Sequence, residues 1–280
     1  MASVNSPIRK FIKPLFYKLL GRNAYKYVQT RAKIKDIRER LVEEKEMQLL
    51  PQLVKEGDET IDLGANYAYY LERLSKLVGN RGKVYGFEPI PFTYDVCNMV
   101  VRKLRLNNVE VFQYAAGAKN EGLEFRVPKL DFGGISAGQS HLAKRNNDLD
   151  GKENYYSFKD EEIVKCKSVT IDSFLEGKLS RLTFVKIDIE GAEYYALQGM
   201  RNVIAEFKPV VLIEIQPFFL KGMGVKESEL VDLITKELDY SIYAYDVNSD
   251  KLLHVQTNLW DDNYILFHNS KLSDYKHIIS

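Results

Sequence analysis

At 280 residues, 45% hydrophobic and 28% charged, the chain has a globular composition, which excludes a disordered, collagen-like or disulfide-rich class. Its two cysteines, Cys97 and Cys166, have no paired-ligand spacing, so neither a disulfide framework nor a zinc site is expected, and a reducing, cytoplasmic setting is. The net charge of +1 conceals an asymmetry: residues 1–35 hold nine Lys or Arg and no acid, leaving 31 basic against 39 acidic groups in the rest.

The chain opens on a basic arm, residues 1–40, ahead of an expected catalytic domain over 41–280. Ile8, Phe11, Ile12, Leu15, Phe16, Leu19 and Leu20 recur at helical spacing, with Arg9, Lys10, Lys13 and Lys18 around them. Pro14 is expected to kink or divide this helix and Gly21 to stop it. Its role stays open between peripheral contact of residues 8–20 with an anionic membrane surface and docking, on the catalytic domain or on the partner in a homodimer. No nucleic-acid partner is expected, since no motif accompanies the charge. No run of about eighteen apolar residues is present, so no spanning helix is expected, and the N-terminus lacks a secretory-signal pattern.

From residue 41 short apolar runs alternate with helical periodicities, the pattern of βαβ units around a mostly parallel sheet. Residues 41–55 read as a helix, Thr60 to Leu63 as a strand and Tyr67 to Val78 as a helix. A second strand over Lys83 to Phe87 ends at Glu88, a helix follows from Thr93 to Leu106, and a third strand spans Glu110 to Tyr114. The rhythm breaks at 118–170, where strands at Leu123 to Val127 and Val164 to Val169 flank a polar, glycine-bearing insert, read as a lid or substrate-selecting segment. It resumes with a strand from Phe184 to Ile187 ending at Asp188, a helix over Ala192 to Glu206 and the apolar strand Val210 to Ile215. A helix over Lys226 to Leu238 and strands near Ser241 to Tyr245 and Tyr264 to Phe267 close the layer.

In an open parallel sheet, ligands bind beyond the carboxyl ends of the strands, and Asp62, Glu88 and Asp188 stand at three such ends. Glu88 is placed to grip a ribose through its two hydroxyls. Gly64 lets the backbone approach a ligand, and a helix starting near Asn66 would aim its free N–H groups at the same crevice. The stretch "IDLGANYAYY" has one glycine where a dinucleotide turn needs three, and no phosphate-cradling loop is present. A ligand with ribose and adenine but no phosphate fits better. S-adenosylmethionine is such a ligand, with Asp62 near its cationic amino-acid end.

"IDLGANYAYY", "GKVYGFEPIPFTYD", Asn107, "VTIDSFL", "FVKIDIEGAEYYALQGM" and "PVVLIEIQP", in this order from about residue 45 to 267, resemble the FkbM-type S-adenosylmethionine-dependent methyltransferases. The resemblance implies a class I, Rossmann-like fold: a mostly parallel seven-stranded sheet with helices on both faces, here with an N-terminal helical arm. It also implies O-methylation of a hydroxyl on a sugar, glycan or related natural product. The expected cofactor-binding residues are Asp62, Gly64, Ala65, Asn66, Glu88, Pro89, Ala115 and Asp188, and Glu190 and Glu214 are expected at the acceptor. The sequence departs from the family at Ala68, where glycine is usual. A methyl there would narrow the methionine channel, or be harmless if the residue is helical, which the helix preference of alanine favours.

Methyl transfer needs an acceptor oxygen held in line and relieved of its proton. Asp188 is the first candidate for that base, His141 in the insert the second, and Lys186 is placed to pair with Asp188 or Glu214. No metal is expected, although magnesium on Asp188 with Glu214 or Glu190 is an arrangement such acids allow. Tyr67, Tyr69 and Tyr70 are candidates to close over the cofactor, and Phe132, Gly133 and Gly134 over the acceptor. Ordinary packing competes for every tyrosine. Two other readings remain: a protein that keeps the fold for membrane or partner binding without catalysis, and a nicotinamide-dependent oxidoreductase, disfavoured by the missing glycines.

Overall fold

A computed structural model of the protein describes residues 7–129, 140–146, 160–256 and 259–280, with backbone alone along residues 7–20 and at residue 22. The chain begins with α1 (Pro7–Arg38), whose dihedrals leave the helical range at Gly21, where φ is 71° and ψ 175°. The division therefore falls at the glycine and not at Pro14, because a positive φ is open to a residue without Cβ. The second half of α1 is part of the body. Tyr25 is buried and stacks on Phe92 at 6.2 Å, and Lys26 pairs with Asp95 at 2.6 Å.

Only a 3₁₀ turn at Lys45–Gln48 and the single turn α2 (Leu50–Leu53) occupy the segment expected to be one helix over 41–55. Pro51 cannot donate inside a longer helix. Next come β1 (Glu59–Leu63), α3 (Tyr69–Val78), β2 (Lys83–Phe87), α4 (Pro91–Leu104) and β3 (Val109–Phe112). Strand β4 (Ala115–Ala116) precedes the insert, which supplies β5 (Glu121–Pro128), β6 (His141–Leu142) and β7 (Glu161–Val169). The chain then runs through α5 (Ile171–Phe174), β8 (Leu182–Ile187), α6 (Glu193–Gln198), α7 (Arg201–Phe207), β9 (Val210–Glu214) and α8 (Pro217–Gly222). It ends with α9 (Glu227–Asp232), β10 (Tyr240–Asp246), β11 (Lys251–Val255) and β12 (Asn263–His268). Phe132, Gly133 and Gly134 lie outside the described residues.

The main sheet has the order β11-β10-β12-β9-β8-β1-β2-β3. Its five strands from β9 to β3 are parallel, and β12, β10 and β11 are antiparallel. Eight strands stand where seven are expected. The extra one is β11, turned back on β10 by a tight turn that the Asp246 carboxylate caps, accepting from Asn248 N at 3.1 Å and Ser249 N at 3.3 Å.

Alternation along the strands sends side chains to two cores. Ile61, Leu63, Val185, Ile187, Val211 and Ile213 face α5, α6, α7 and α9, while Phe184, Val210 and Leu212 belong to the cluster holding α3, α4 and Tyr25. The expected helix over 192–206 breaks into α6 and α7 at Gly199. A Cβ there would sit 2.0 Å from the carbonyl oxygen of Gly117, so the bend seats the helices against the insert. Together with β4 the insert forms its own sheet, β4-β7-β5-β6, with β4 parallel to β7 and the other pairs antiparallel.

Candidate active site

The strand order reverses between β1 and β8: from β1 the chain proceeds outward through β2 and β3, and from β8 through β9. That is where an open sheet leaves its crevice. After β1, the turn through Gly64, Asn66 and Ala68 takes φ values of 88°, 46° and 69°. Gly64 is forced by close approach, since a Cβ would lie 1.9 Å from the backbone oxygen of Asp188. The glycine thus lets the β1 and β8 ends pass one another as well as bordering the cleft. Gly64 N and Ala65 N both donate to Phe87 O at 3.0 Å, and Asn66 N donates to Glu88 Oε2 at 3.1 Å. Ala68 is therefore left-handed and not helical. Helix α3 starts at Tyr69, two residues later than the expected Tyr67, because Ala68 takes a left-handed φ of 69°. The Ala68 methyl is fully buried and does not border the cleft, so it narrows no channel; its cost is backbone strain.

Beneath this turn lies a charge ladder. Lys186 Nζ is 2.8 Å from Asp188 Oδ2, 4.0 Å from Asp62 Oδ1 and 4.6 Å from the centre of the Tyr70 ring. Tyr70 in turn donates its hydroxyl to Glu44 Oε2 at 2.6 Å. Burial alone would lower the Lys186 pKa, but Asp188 and Asp62 outweigh it and hold the ammonium charged. Burial pushes Asp62 up to about 6 against the pull of Lys186. Burial also raises Asp188, yet Lys186 and the hydrogen bond from Glu214 win, so Asp188 stays below the usual carboxylate range. Glu214, driven up by burial and by Asp188, holds the proton of that pair. An ionised Asp188 between a lysine and a protonated glutamate is thus fixed at the end of β8.

The loop after Asp188 is held from two sides. Glu193 Oε1 accepts from Ile189 N at 3.3 Å and Gly191 N at 3.1 Å, so this buried acid is a loop brace, and not merely an early-helix acid in a favourable dipole. From the insert, Arg145 Nη1 donates to Glu190 O at 2.8 Å and lies 3.5 Å from Glu190 Oε2, with its guanidinium 4.2 Å from the centre of the Phe219 ring. Glu190 itself sits at φ 58°. Burial, and then Asp188, push Glu190 up to about 7 despite Arg145. Glu88 is likewise pushed up to about 7 by burial, against donation from Ile90 N at 2.9 Å and from Asn66 N.

These elements enclose a cleft of about 920 Å³, its open mouth included. Of the expected residues, Gly64, Asn66, Glu88, Pro89, Ala115, Asp188, Glu190 and Glu214 border it. Asp62, Ala65 and Lys186 lie behind that wall. His141 is buried with Nε2 3.8 Å from Glu161 Oε1, while its neighbours Ser140 and Leu142 border the cleft, so the strand turns the imidazole away. Tyr67 and Tyr70 pack in the core, Tyr67 under Lys33 at 4.3 Å. Sequence reasoning missed Arg145, Ser140, Phe125 and Tyr114. Phe125 is a strand residue that only the insert's folding-back brings to the site, and Tyr114 lies in the short link between β3 and β4. Among the described residues, no three His, Cys, Asp or Glu side chains gather as metal ligands.

The buried oxygens without a hydrogen-bond partner among the described residues include Asn66 Oδ1 and Ser140 Oγ on the cleft wall and Asp62 Oδ1 behind it. Each carboxylate oxygen of Glu88 uses one lone pair on a backbone N–H and retains another. Asn66 and Glu88 on the wall, with the Asp62 carboxylate behind them, make a crevice suited to a ligand rich in donors and positive charge. The ammonium and ribose hydroxyls of S-adenosylmethionine are such donors, so the residues present fit that cofactor, with Glu88 at the ribose and Asp62 and Asn66 toward the amino-acid end.

The family model described as Methyltransferase FkbM domain matches residues 62–242, well over half of the chain. Among solved structures, the chain is similar to methyltransferase FkbM from Methylobacillus flagellatus KT, with 18% identity, a TM-score of 0.45, and coverage of 86% of this chain and 59% of that one. It thus spans less than two thirds of that protein. A Thermotoga maritima protein described as a SAM-dependent O-methyltransferase aligns at 12% identity and TM-score 0.44, over 84% of this chain and 69% of that one. A methyltransferase fold from Streptococcus mutans, solved in complex with SAH, aligns at 12% identity and TM-score 0.42, over 79% and 94%. No functionally curated protein matches. With the sheet order, the acids at the strand ends and the family match in agreement, the chain has a class I methyltransferase-like fold and belongs to the FkbM methyltransferase family.

Proposed function

We propose that the protein transfers the methyl group of S-adenosylmethionine to a hydroxyl of a saccharide or related natural product. The observation that carries this reading is geometric: Asp188, Glu190 and Glu214 border the cleft beyond the ends of β8 and β9, with Lys186 Nζ 2.8 Å from Asp188 Oδ2. A carboxylate kept charged in a recess can accept the proton of a hydroxyl as its oxygen is alkylated. Glu214, as a neutral acid, can donate to an acceptor oxygen without adding a second charge. When bound, the cofactor supplies an electrophilic methyl on a sulfonium, so little chemistry beyond alignment and proton removal is left to the protein.

The chain's own residues divide that work. Glu88, Asn66 and Asp62 hold and orient the cofactor; Lys186 fixes Asp188 and keeps it ionised; Arg145 and Glu193 hold the loop that carries Glu190. Glu190 and Glu214 border the acceptor side. The test is incubation with S-adenosylmethionine carrying a deuterated methyl group and saccharides extracted from the source cells, followed by mass spectrometry. A labelled methyl ether on a saccharide is expected. Label confined to nitrogen of protein or nucleic acid contradicts the reading.

A further inference from the structure

A second cavity of about 800 Å³, its open mouth included, adjoins the first. Ala116, Leu123, Leu142 and Ala192 border both, so the two are lobes of one depression that meet at an apolar sill. Their charges are opposite. The first lobe is bordered by Glu88, Asp188, Glu190 and Glu214, the second by Lys119 and Lys144 against one acid, Glu121. Neither lysine makes an ion pair among the described residues, where many of the chain's other lysines do.

The walls of this second lobe are fixed. Lys144 Nζ stands 4.6 Å from the centre of the Tyr195 ring. The Tyr195 hydroxyl donates to Met223 O at 3.3 Å, which pins the far end of the ring and presents a face to the cavity side. The floor is backbone: Gly117 abuts Gly199, and β4 is registered on β7 through Ala115 with Ser168 and Ala116 with Val169. A recess with two ammonium groups that have no ion-pair partner among the described residues, one of them over an aromatic ring, is suited to a ring carrying an oxyanion, since the ammonium groups supply charge-assisted donors and the tyrosine an aromatic surface.

Resting on the reading of the first lobe as a saccharide O-methylation site, we propose that the second lobe binds an oxyanion substituent of the acceptor, a carboxylate or phosphate on a sugar unit. Lys119 and Lys144 are its counter-charges and Tyr195 its stacking face. The acceptor is thus an acidic saccharide, spread over a lobe that reacts and a lobe that recognises.

The test is titration calorimetry on the full chain with glucose, glucuronate and glucose 6-phosphate, each with and without saturating S-adenosylhomocysteine. The charged sugars are expected to bind roughly tenfold more tightly than glucose, about 1.4 kcal/mol, and added salt should erode the difference. The better of the two identifies the oxyanion. The preference should vanish in the double variant Lys119→Ala with Lys144→Ala and persist in Lys144→Arg. Equal binding of the three sugars, binding of none, or a preference that survives the double variant overturns the proposal. S-adenosylhomocysteine should bind wild type and double variant alike. Its failure to bind wild type would overturn the cofactor reading and not the lobe, whose preference is read without it.

Discussion

The two corners that border the cleft are built differently. The corner after β1 is laced by backbone: Gly64, Ala65 and Asn66 all donate to the end of β2 and Glu88, within thirty residues. The corner after β8 is braced by side chains, Glu193 from the following helix and Arg145 from the insert, over forty positions away. The first is laced mainly by nearby backbone, with the end of β8 packed against Gly64. The second is held partly by the insert, so on the proposed function the insert should affect the acceptor side more than the cofactor side.

Lys186 lies under both corners, and its loss should have the largest effect. Lys186→Met leaves Asp188 and Asp62 without their buried counter-charge, and we expect a loss of about 3 kcal/mol in urea denaturation. A variant as stable as wild type would mean the ladder is not coupled. Glu88→Ala strikes the first corner alone. Loss of charged hydrogen bonds worth about 1.5–3 kcal/mol predicts roughly 10- to 150-fold weaker S-adenosylhomocysteine binding by calorimetry. Unchanged affinity would refute the ribose assignment.

Arg145→Ala strikes the second corner alone. Stability should fall by about 2 kcal/mol, from a charged hydrogen bond and a cation–aromatic contact. S-adenosylhomocysteine affinity should stay within about threefold, under 1 kcal/mol. Equal damage to cofactor binding would erase the contrast between the corners.

Protonation adds a pH signature. Glu46, Glu88, Glu190 and Glu193 are pushed by burial to about 7 and Asp62 to about 6. The folded state therefore binds protons more tightly than the unfolded chain from about pH 4.5 to 7, and these groups make ligand-free stability fall as pH rises through that window. Calorimetric Tm should be higher at pH 6 than at pH 8. Binding of a cationic ligand to Glu88 and Asp62 has the opposite sign, with affinity rising from pH 6 to 8. The smallest effect is Ala68→Gly, expected to stabilise by up to about 1 kcal/mol by relieving a left-handed alanine, partly offset by the freer unfolded chain. A loss of stability would show that the buried methyl matters more than the strain.

The sequence exposed what is local. An apolar run followed by an acid marks the strand ends at Asp62, Glu88 and Asp188, and period-3.6 spacing marks α3 and α4. Long-range placement was hidden. Arg145 sits in a polar stretch without periodicity, so nothing in its neighbourhood announces a partner at Glu190. His141 carries a residue type suited to catalysis, but strand alternation turns it from the cleft. Ala68 misleads because helix propensity is a statement about helix interiors, whereas the residue is a cap held at φ 69°. Strand β11 was missed because its signal, a short apolar run after an Asn-Ser-Asp turn, is as weak as that of many loops.

On the proposed function, the first lobe binds an S-adenosyl ligand. Titration calorimetry of the full chain with S-adenosylmethionine and S-adenosylhomocysteine tests it most directly. Saturable one-to-one binding of both, weakened by Glu88→Ala and spared by Arg145→Ala, is the expected result; binding of neither to the wild-type protein would contradict it.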